Sequence, residues 1–317
     1  MGFSLLGVTV GFLKQNPEQK FTAREIAAWI FETYPDECRQ KQNRSKAKVT
    51  PLDTDAALLQ QIAAEIGSRR PRLQAMNPKI KTTEARPRKF YYTDSSDSDE
   101  IERTESSATA SAADPNAAII KEHDLYSILS EFLWSELAIY SRRIDEKRSR
   151  KSRSAGGNKW LYPDLVGMED LSQDWHREIK DCVQQYADKK NKLWSFEVKI
   201  LINSSNVREA FFQTVSNSSW ANFGYLVANE IEGADTSKEL RMLAGLHGIG
   251  FIKLDSENSS ESQIMIPAKE RTEIDWNAAN RLAEENKDFL DYIKTVRQFY
   301  QTGEVHETDW DAKAQED

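Results

Sequence analysis

A run of small, polar and acidic residues in the first half of the chain constrains the fold most strongly. Residues 94–116 contain seven acidic residues and one basic residue, and they offer almost no side chain that a hydrophobic core could bury. This composition is typical of a disordered linker. We therefore expect the 317-residue chain to form two domains, residues 1–93 and 117–300, with an acidic tail at 301–317.

The charges of the chain are unevenly divided. The net charge is −8, yet residues 1–93 hold 16 Lys and Arg against 9 Asp and Glu, a net of +7. A basic domain joined to an acidic remainder predicts contact with a polyanion, of which DNA is the common example. The alternative is that these residues form the solvated basic face of a protein-binding module.

The first domain is predicted to contain three helices followed by a basic hairpin. Thr22 and Glu25 have the spacing of a capping box at the start of the second helix. Residues 39–48 are polar and basic without an apolar period, which predicts a loop. A third helix should begin at Asp53 or Thr54 and end at Gly67. This order is that of a winged helix-turn-helix domain, which binds DNA. The candidate DNA-binding residues follow the third helix: Arg69, Arg70, Arg72, Lys79, Lys81, Arg86, Arg88 and Lys89.

The second domain is predicted to alternate helices with strands. Helices are expected at 119–140, 171–186, 206–215, 238–246 and 276–300, and strands at 160–168, 192–202, 223–229, 247–254 and 263–267. This pattern predicts an α/β (α+β) sandwich with a mixed sheet.

A basic stretch at 142–153 precedes the first of the predicted strands. It could follow a phosphate backbone, with Arg148, Arg150 and Lys151 as DNA-binding candidates, or it could be an ordinary mobile surface loop.

Two charged residues interrupt the apolar face of the strand at 192–202. Glu197 and Lys199 are two residues apart, so they point to the same side of the strand, about 6.6 Å from each other. Asp164 follows Pro163 on the neighbouring strand, 33 residues earlier. Two carboxylates beside a lysine predict a site for a Mg²⁺-type cation. The alternative is an exposed pair on an edge strand, with Asp164 capping a turn.

These residues resemble a known superfamily of nucleases. Pro163-Asp164 followed by Glu197-Val198-Lys199 is similar to the motif of the PD-(D/E)xK restriction-endonuclease-like superfamily. The resemblance implies that Asp164 and Glu197 bind Mg²⁺, with Mn²⁺ as an alternative cation, and that Lys199 is the catalytic lysine. It also implies a glutamate from the preceding helix, for which Glu131 is the choice and Glu122 the alternative. Gln213, on the following helix, completes the catalytic set.

The front of the chain resembles the HARE-type winged-helix domains that accompany restriction nucleases. The matching segments are Phe21–Ala27, Ile62–Gly67 and Arg88–Tyr92. Together, the two resemblances are closest to the HrgA-like restriction-associated proteins. They imply a Mg²⁺-dependent DNA endonuclease of the restriction or antiviral-defence type, expected to be a homodimer by analogy.

Other features of the chain exclude several classes of protein. The two cysteines form no CxxC motif, which argues against a zinc finger and suits a cytoplasmic location. No run of 18 apolar residues predicts a membrane span. Two alternatives to a nuclease remain. One is a non-enzymatic DNA-binding regulator that uses a degenerate nuclease fold for dimerisation or sensing, and the other is a protein-interaction adaptor.

Overall fold

A computed structural model describes residues 4–44, 54–84, 86–106, 120–149, 162–185 and 191–311. The chain is a mixed α/β protein that divides into two compact units. The first unit holds residues 1–96 and the short segment 232–234, and the second holds the rest. In the described ranges, no helix has the length and apolar composition needed to cross a membrane.

The first unit contains five helices and a small antiparallel sheet. The helices are α1 (Leu5–Gln15), α2 (Ala23–Thr33), α3 (Pro35–Arg44), α4 (Asp55–Ser68) and α5 (Arg70–Met76). The strands are β1 (Phe21–Thr22), β2 (Ile80–Thr82) and β3 (Lys89–Tyr92), in the order β1-β3-β2. Apolar side chains from α1, α2, α4 and β3 form one buried cluster.

The capping box at the start of α2 is confirmed. The Glu25 carboxylate accepts the Thr22 N–H at 2.6 Å, and the Glu25 N–H donates to the Thr22 hydroxyl at 3.2 Å. The loop predicted for residues 39–48 is wrong over α3, where Asp36 and Glu37 lie in the first helical turn. Acidic side chains stabilise that end of a helix. Because α3 buries little besides Cys38, its sequence lacks an apolar period.

The expected disordered linker is wrong for its first half. Residues Asp97–Ser106 form helix α6, which belongs to the second unit. Its first turn contains three acidic residues, which favour a helix N-terminus. The side-chain amide of Asn203 donates to the Asp97 carbonyl at 2.9 Å and so fixes the start of the helix. The rest of the expected linker, residues 107–116, lies outside the described residues.

The second unit is built on a six-stranded mixed sheet. Its strands are β4 (Ile139–Arg143), β5 (Leu165–Asp170), β6 (Asn191–Ile202), β7 (Phe223–Ile231), β8 (Gly250–Lys253) and β9 (Gln263–Ile266), ordered β4-β5-β6-β7-β8-β9. The β4–β5, β5–β6 and β8–β9 pairs are antiparallel, whereas β6–β7 and β7–β8 are parallel. The helices are α7 (Glu122–Leu137), α8 (Arg177–Gln185), α9 (Val207–Asn217), α10 (Ala234–His247), α11 (Trp276–Glu285) and α12 (Lys287–Thr302).

Helices cover both faces of this sheet. Leu129 and Leu133 of α7 are buried in one cluster with Phe196 and Val227 of the strands. A second cluster joins α11 and α12 to β5, and a third joins α9 and α10 to β7. The long helix expected at 276–300 is two helices, because the Asn286 side chain accepts the N–H groups of Asp288 and Phe289 and so starts α12 anew.

The expected acidic tail is partly built into the core. Trp310 is only 3% exposed and lies in the cluster with Tyr140 and Tyr292. The backbone N–H of Asp311 donates to the Ser141 carbonyl of β4 at 2.9 Å. The interpretation of residues 301–311 as a free tail is therefore wrong, and residues 312–317 lie outside the described ranges.

The packing of Gly250 gives a test of this fold. A methyl group added there would meet the ring of Tyr225 and would lie 2.7 Å from the Ala268 backbone nitrogen. We expect Gly250→Ala to lower the free energy of unfolding of the second unit by about 2 kcal/mol, because a packed strand cannot absorb the added volume. Gly245→Ala is the matched control, since its methyl group meets nothing within 4 Å and it removes a glycine from helix α10. We expect that control to stabilise by up to about 1 kcal/mol. Calorimetry measures both, and equal midpoints would contradict this packing.

Candidate active site

A set of charged residues in the second unit lines a cleft of about 350 Å³. Helix α6, the first turn of α7, the end of β4, the residues before β5, the middle of β6 and helix α9 all contribute side chains to it. The cleft contains Asp164, Glu197, Lys199 and Gln213 together. Residues from three separate segments of the chain therefore meet in one place.

The pairing of β5 with β6 places Asp164 beside Glu197. Leu165 is opposite Phe196 in the antiparallel register. Asp164 comes directly before that pair, and its N–H donates to the Phe196 carbonyl at 3.0 Å. Its carboxylate accepts the Val198 N–H at 2.7 Å. Two backbone contacts therefore hold Asp164 against the strand that carries Glu197.

Glu197 and Lys199 form a buried ion pair on the central strand β6. The Lys199 ammonium donates to Glu197 Oε1 at 2.8 Å, and the two side chains are 17% and 1% exposed. The other carboxylate oxygen, Oε2, accepts a hydrogen bond from the Asn217 amide at 3.1 Å. The alternative of an exposed pair on an edge strand is wrong, because β6 has neighbours on both sides and Glu197 has almost no solvent contact.

The acid from the preceding helix is Glu122, and the choice of Glu131 is not supported by its position. Glu122 lines the cleft, whereas Glu131 is exposed and does not. The two residues are nine positions apart, which places them about 180° apart around α7 and about 13 Å apart along it. The Tyr126 hydroxyl lies one turn after Glu122 and contacts both Glu122 Oε1 at 2.8 Å and Asp164 Oδ1 at 3.4 Å.

Helix α9 contributes two amides to the cleft, of which the sequence predicted one. Gln213 lines the cleft and is buried. Asn217, one turn later, donates from its side chain to the Tyr162 carbonyl at 2.8 Å as well as to Glu197. It thus ties the acid on β6 to the backbone just before Asp164. The signal for Asn217 was its spacing of four residues from Gln213, which places both on one helix face.

The cleft disfavours the charged forms of its two central acids. Burial and the neighbouring Glu197 carboxylate raise the pKa of Asp164 well above its usual value. Burial also raises the pKa of Glu197, although Lys199 and the Asn217 hydrogen bond oppose this shift. Burial alone would lower the pKa of Lys199, but the surrounding carboxylates of Glu197, Asp164 and Glu122 outweigh it and raise that pKa. Lys199 therefore remains an ammonium at neutral pH.

The donor atoms of the cleft suit a hard cation such as Mg²⁺. Asp164, Glu197 and Glu122 all line the cleft, and a cation would favour the charged forms that burial and neighbouring carboxylates disfavour in Asp164 and Glu197. Across the described part of the chain, no three His, Cys, Asp or Glu side chains group at the spacing of a complete metal cage. Mg²⁺ is commonly held by one or two carboxylates with water and substrate phosphates, so two of these acids are a sufficient set.

The candidate DNA-binding residues of the first unit differ in how they are engaged. Ion pairs join Arg69 to Glu65, Arg70 and Arg88 to Glu84, and Lys79 to Asp94. The Lys81 ammonium donates to the Ser95 carbonyl at 3.5 Å. Arg72, Arg86 and Lys89 are exposed, and none of them forms an ion pair within the described ranges. Of the predicted set, these three cations are therefore the ones that combine exposure with the lack of an ion pair among the described residues.

The basic stretch after β4 is placed only in part. Arg148 forms an ion pair with Asp288, which is 8% exposed at the start of α12. Its charge is thus neutralised within the fold, which weakens its assignment to DNA contact. Arg150 and Lys151 lie outside the described residues.

Comparison of the chain with models of protein families, with curated proteins and with solved structures found no match. The geometry of the cleft is therefore the basis for assigning a function to this protein.

The raised pKa of Asp164 predicts a pH-dependent gain in stability when its charge is removed. A carboxyl whose pKa is higher in the folded state favours folding when protonated, and that contribution is lost as the pH rises through the folded pKa. We expect Asp164→Asn to raise the unfolding midpoint at pH 8 in metal-free buffer. The gain should shrink towards about pH 4, the ordinary pKa of aspartate. Thermal unfolding across pH 4–8 measures it.

Asp174→Asn is the control for this prediction, because it makes the same chemical change at an exposed aspartate. A lower midpoint for Asp164→Asn at pH 8 would mean that the carboxylate stabilises the fold and would contradict the raised pKa of Asp164.

Proposed function

We propose that this protein is a Mg²⁺-dependent DNA endonuclease of the restriction or defence type. The observation that carries the proposal is the buried group of Asp164, Glu197 and Lys199 in one cleft, with Glu122 at its side. Phosphodiester hydrolysis requires neutralisation of the phosphate charge, an activated water and a stabilised leaving oxygen. Two carboxylates and an ammonium in a shielded cleft are suited to that chemistry.

The order of elements around the cleft supports the resemblance to PD-(D/E)xK nucleases. Helix α7 precedes the antiparallel strands β4, β5 and β6, and helix α9 then leads to the parallel strand β7. The acids that the motif predicts lie immediately before β5 and in the middle of β6. Residues on paired strands hold their positions more firmly than residues on loops, which favours a catalytic role.

The side chains of the cleft have distinct proposed roles. Asp164 and Glu197, with Glu122, would hold a Mg²⁺ ion, which when bound supplies a polarised water and charge neutralisation. Lys199 holds the Glu197 carboxylate and presents a positive charge to the attacking water. Asn217 fixes Glu197 through its second oxygen. Gln213, at the wall of the cleft, is placed to orient the water or the phosphate.

The first unit is proposed to be the DNA-binding domain. Its helices α2 and α4 pack together and are followed by the antiparallel pair β2–β3, an order that suits a winged helix-turn-helix. Its accessible cations Arg72, Arg86 and Lys89 would contact phosphates. By analogy with nucleases that cut both strands, the active form would be a homodimer in the cytoplasm.

Under this proposal, catalysis should depend on Glu122, the acid of helix α7 that lines the cleft. We expect wild-type protein to cleave duplex DNA in Mg²⁺ and Glu122→Gln to reduce the rate by about 100-fold, because the variant loses a charged ligand of the cation. Glu131→Gln is the matched control on the same helix and should retain the wild-type rate. Gel analysis of plasmid and bacteriophage DNA, with modified and unmodified bases, measures the rates.

The principal acids provide the stricter test of the same proposal. Asp164→Asn and Glu197→Gln should each abolish cleavage, and Lys199→Met should nearly do so. Cleavage that survives both acid substitutions would remove this cleft as the active site. Tight, salt-sensitive DNA binding without cleavage of any substrate would instead favour the non-enzymatic regulator.

The accessible cations of the first unit should set the salt dependence of DNA binding. We expect the double variant Arg72→Ala with Lys89→Ala to lower the slope of log affinity against log salt by about 2, since each phosphate contact contributes about 0.9. Arg70→Ala is the control, because Arg70 is paired with Glu84 and is 20% exposed. The salt slope of Arg70→Ala should change by less than half of the change seen in the double variant. Fluorescence anisotropy measures the slopes, and equal changes per charge would contradict this ranking.

A further inference from the structure

Among the described residues, two cations that line the cleft, Arg143 and the exposed Lys147, form no ion pair, and Arg143 is the one that is half-buried. Arg143 ends strand β4 and lines the cleft together with Glu122, Asp164 and Glu197. Its guanidinium lies over the ring of Tyr126, 4.8 Å from the ring centre. Its Nε is buried and, among the described residues, has no hydrogen-bond partner, and no carboxylate there forms an ion pair with it.

Two other cations near the cleft are neutralised within the fold. Lys199 is neutralised by Glu197, and Arg148 by Asp288. Arg143 is half-buried beside three acids, yet its stacking on Tyr126 keeps the guanidinium beyond ion-pairing distance of all of them. A partly desolvated charge without a counter-ion is costly. The fold therefore keeps a guanidinium available in the cleft.

The chemistry of a guanidinium indicates what it would bind. Its planar fork of N–H donors matches the oxygens of a phosphate and makes short, charge-assisted hydrogen bonds to them. The contact with the Tyr126 ring restrains the guanidinium before any ligand arrives, which reduces the entropy lost on binding. Tyr126 also contacts Glu122 and Asp164, so the position of the fork is tied to that of the acids.

The strand faces separate Arg143 from its neighbour Arg142. Arg143 is opposite Leu165, whose side chain belongs to the cluster under α7. Arg142 is opposite Val166, which belongs to the cluster under α12. Adjacent strand residues point to opposite faces, and of these two arginines only Arg143, which contacts Tyr126 of α7, lines the cleft.

We infer that Arg143 binds a non-bridging oxygen of a backbone phosphate of the nucleic acid held in the cleft. Arg143 is then the residue that positions the phosphodiester relative to Asp164 and Glu197. This inference rests on the proposed function, since it takes the cleft to be the place where DNA is cut. It assigns the substrate contact of the cleft to β4, whereas the sequence had placed it further along the basic stretch.

The test compares Arg143→Met with Arg142→Met in the full-length protein. Both variants lose one positive charge on the same strand, and the first unit is unchanged in both. The probe is a fluorescein-labelled 20-base-pair duplex in Ca²⁺ buffer, and the readout is anisotropy at several salt concentrations. We expect Arg143→Met to weaken binding about tenfold and to lower the salt slope by about 1. Arg142→Met should leave both within twofold of wild type.

A third variant separates phosphate binding from a purely structural role. Arg143→Lys keeps the charge but not the fork, so we expect a loss of about threefold in affinity. Thermal unfolding of each variant reports whether the stack on Tyr126 was needed for folding. If Arg143→Met lowers the unfolding midpoint but binds the duplex as Arg142→Met does, the inference is overturned and Arg143 is a structural residue.

Failure of the inference and failure of the proposed function give different results. Cleavage that requires Asp164 and Glu197, together with duplex binding that is indifferent to Arg143, would overturn the inference alone. Binding that depends on Arg143 without cleavage of any substrate would overturn the nuclease function and support the phosphate contact. A wild-type chain that binds no duplex would overturn both.

Discussion

The register between strands β5 and β6 is the constraint on which the cleft depends. Leu165 is paired with Phe196, and the Asp164 N–H bonds to the Phe196 carbonyl. Strand side chains alternate between faces, so a slip of one residue would move Glu197 to the opposite side of the sheet from Asp164. The apolar clusters on both faces of the sheet resist such a slip, because it would move Phe196 and Val198 out of the cluster under α7. Core packing thus fixes the position of the acids.

The same packing buries charged groups in the cleft, which lowers the free energy of unfolding. Two carboxylates are held where each disfavours ionisation of the other, and one ammonium offsets only part of that charge. Natural sites commonly sacrifice stability for function in this way. The polar groups around the acids limit the cost: Asn217 and Lys199 occupy both oxygens of Glu197, and the Val198 N–H occupies one oxygen of Asp164.

Local patterns in the sequence were sufficient to identify the central residues of the cleft. Glu197 and Lys199 stand out because strand alternation is a short-range property, and the preceding Pro-Asp supplied Asp164. The choice between Glu122 and Glu131 could not be made in that way. Both lie on one amphipathic helix, and only the rotation of α7 on the sheet decides which of them reaches the cleft. In the sequence Arg143 is one of many basic residues. Its position in the cleft wall and its contact with Tyr126 are tertiary features.

Composition alone does not predict the two acidic segments whose structure depends on a few tertiary contacts. Helix α6 has the acidic, polar sequence of a linker, yet Asn203 holds its first turn. The end of the chain has an acidic composition, yet a single residue, Trp310, anchors it in the core. The helix–strand order of the second unit was largely predictable, since each element carries its own apolar period. The neighbouring sequence of Trp310 does not indicate which apolar cluster it joins.

Helix α6 also has a consequence for the modularity of the chain. It begins at Asp97, immediately after the first unit ends at Ser96, and its residues Ile101, Thr104 and Glu105 form part of the cleft wall. The natural boundary for exchanging the first unit therefore lies before Asp97. A chimera joined within the small-residue run at 107–116 would carry the sheet and both acids but would leave one side of the cleft open to water.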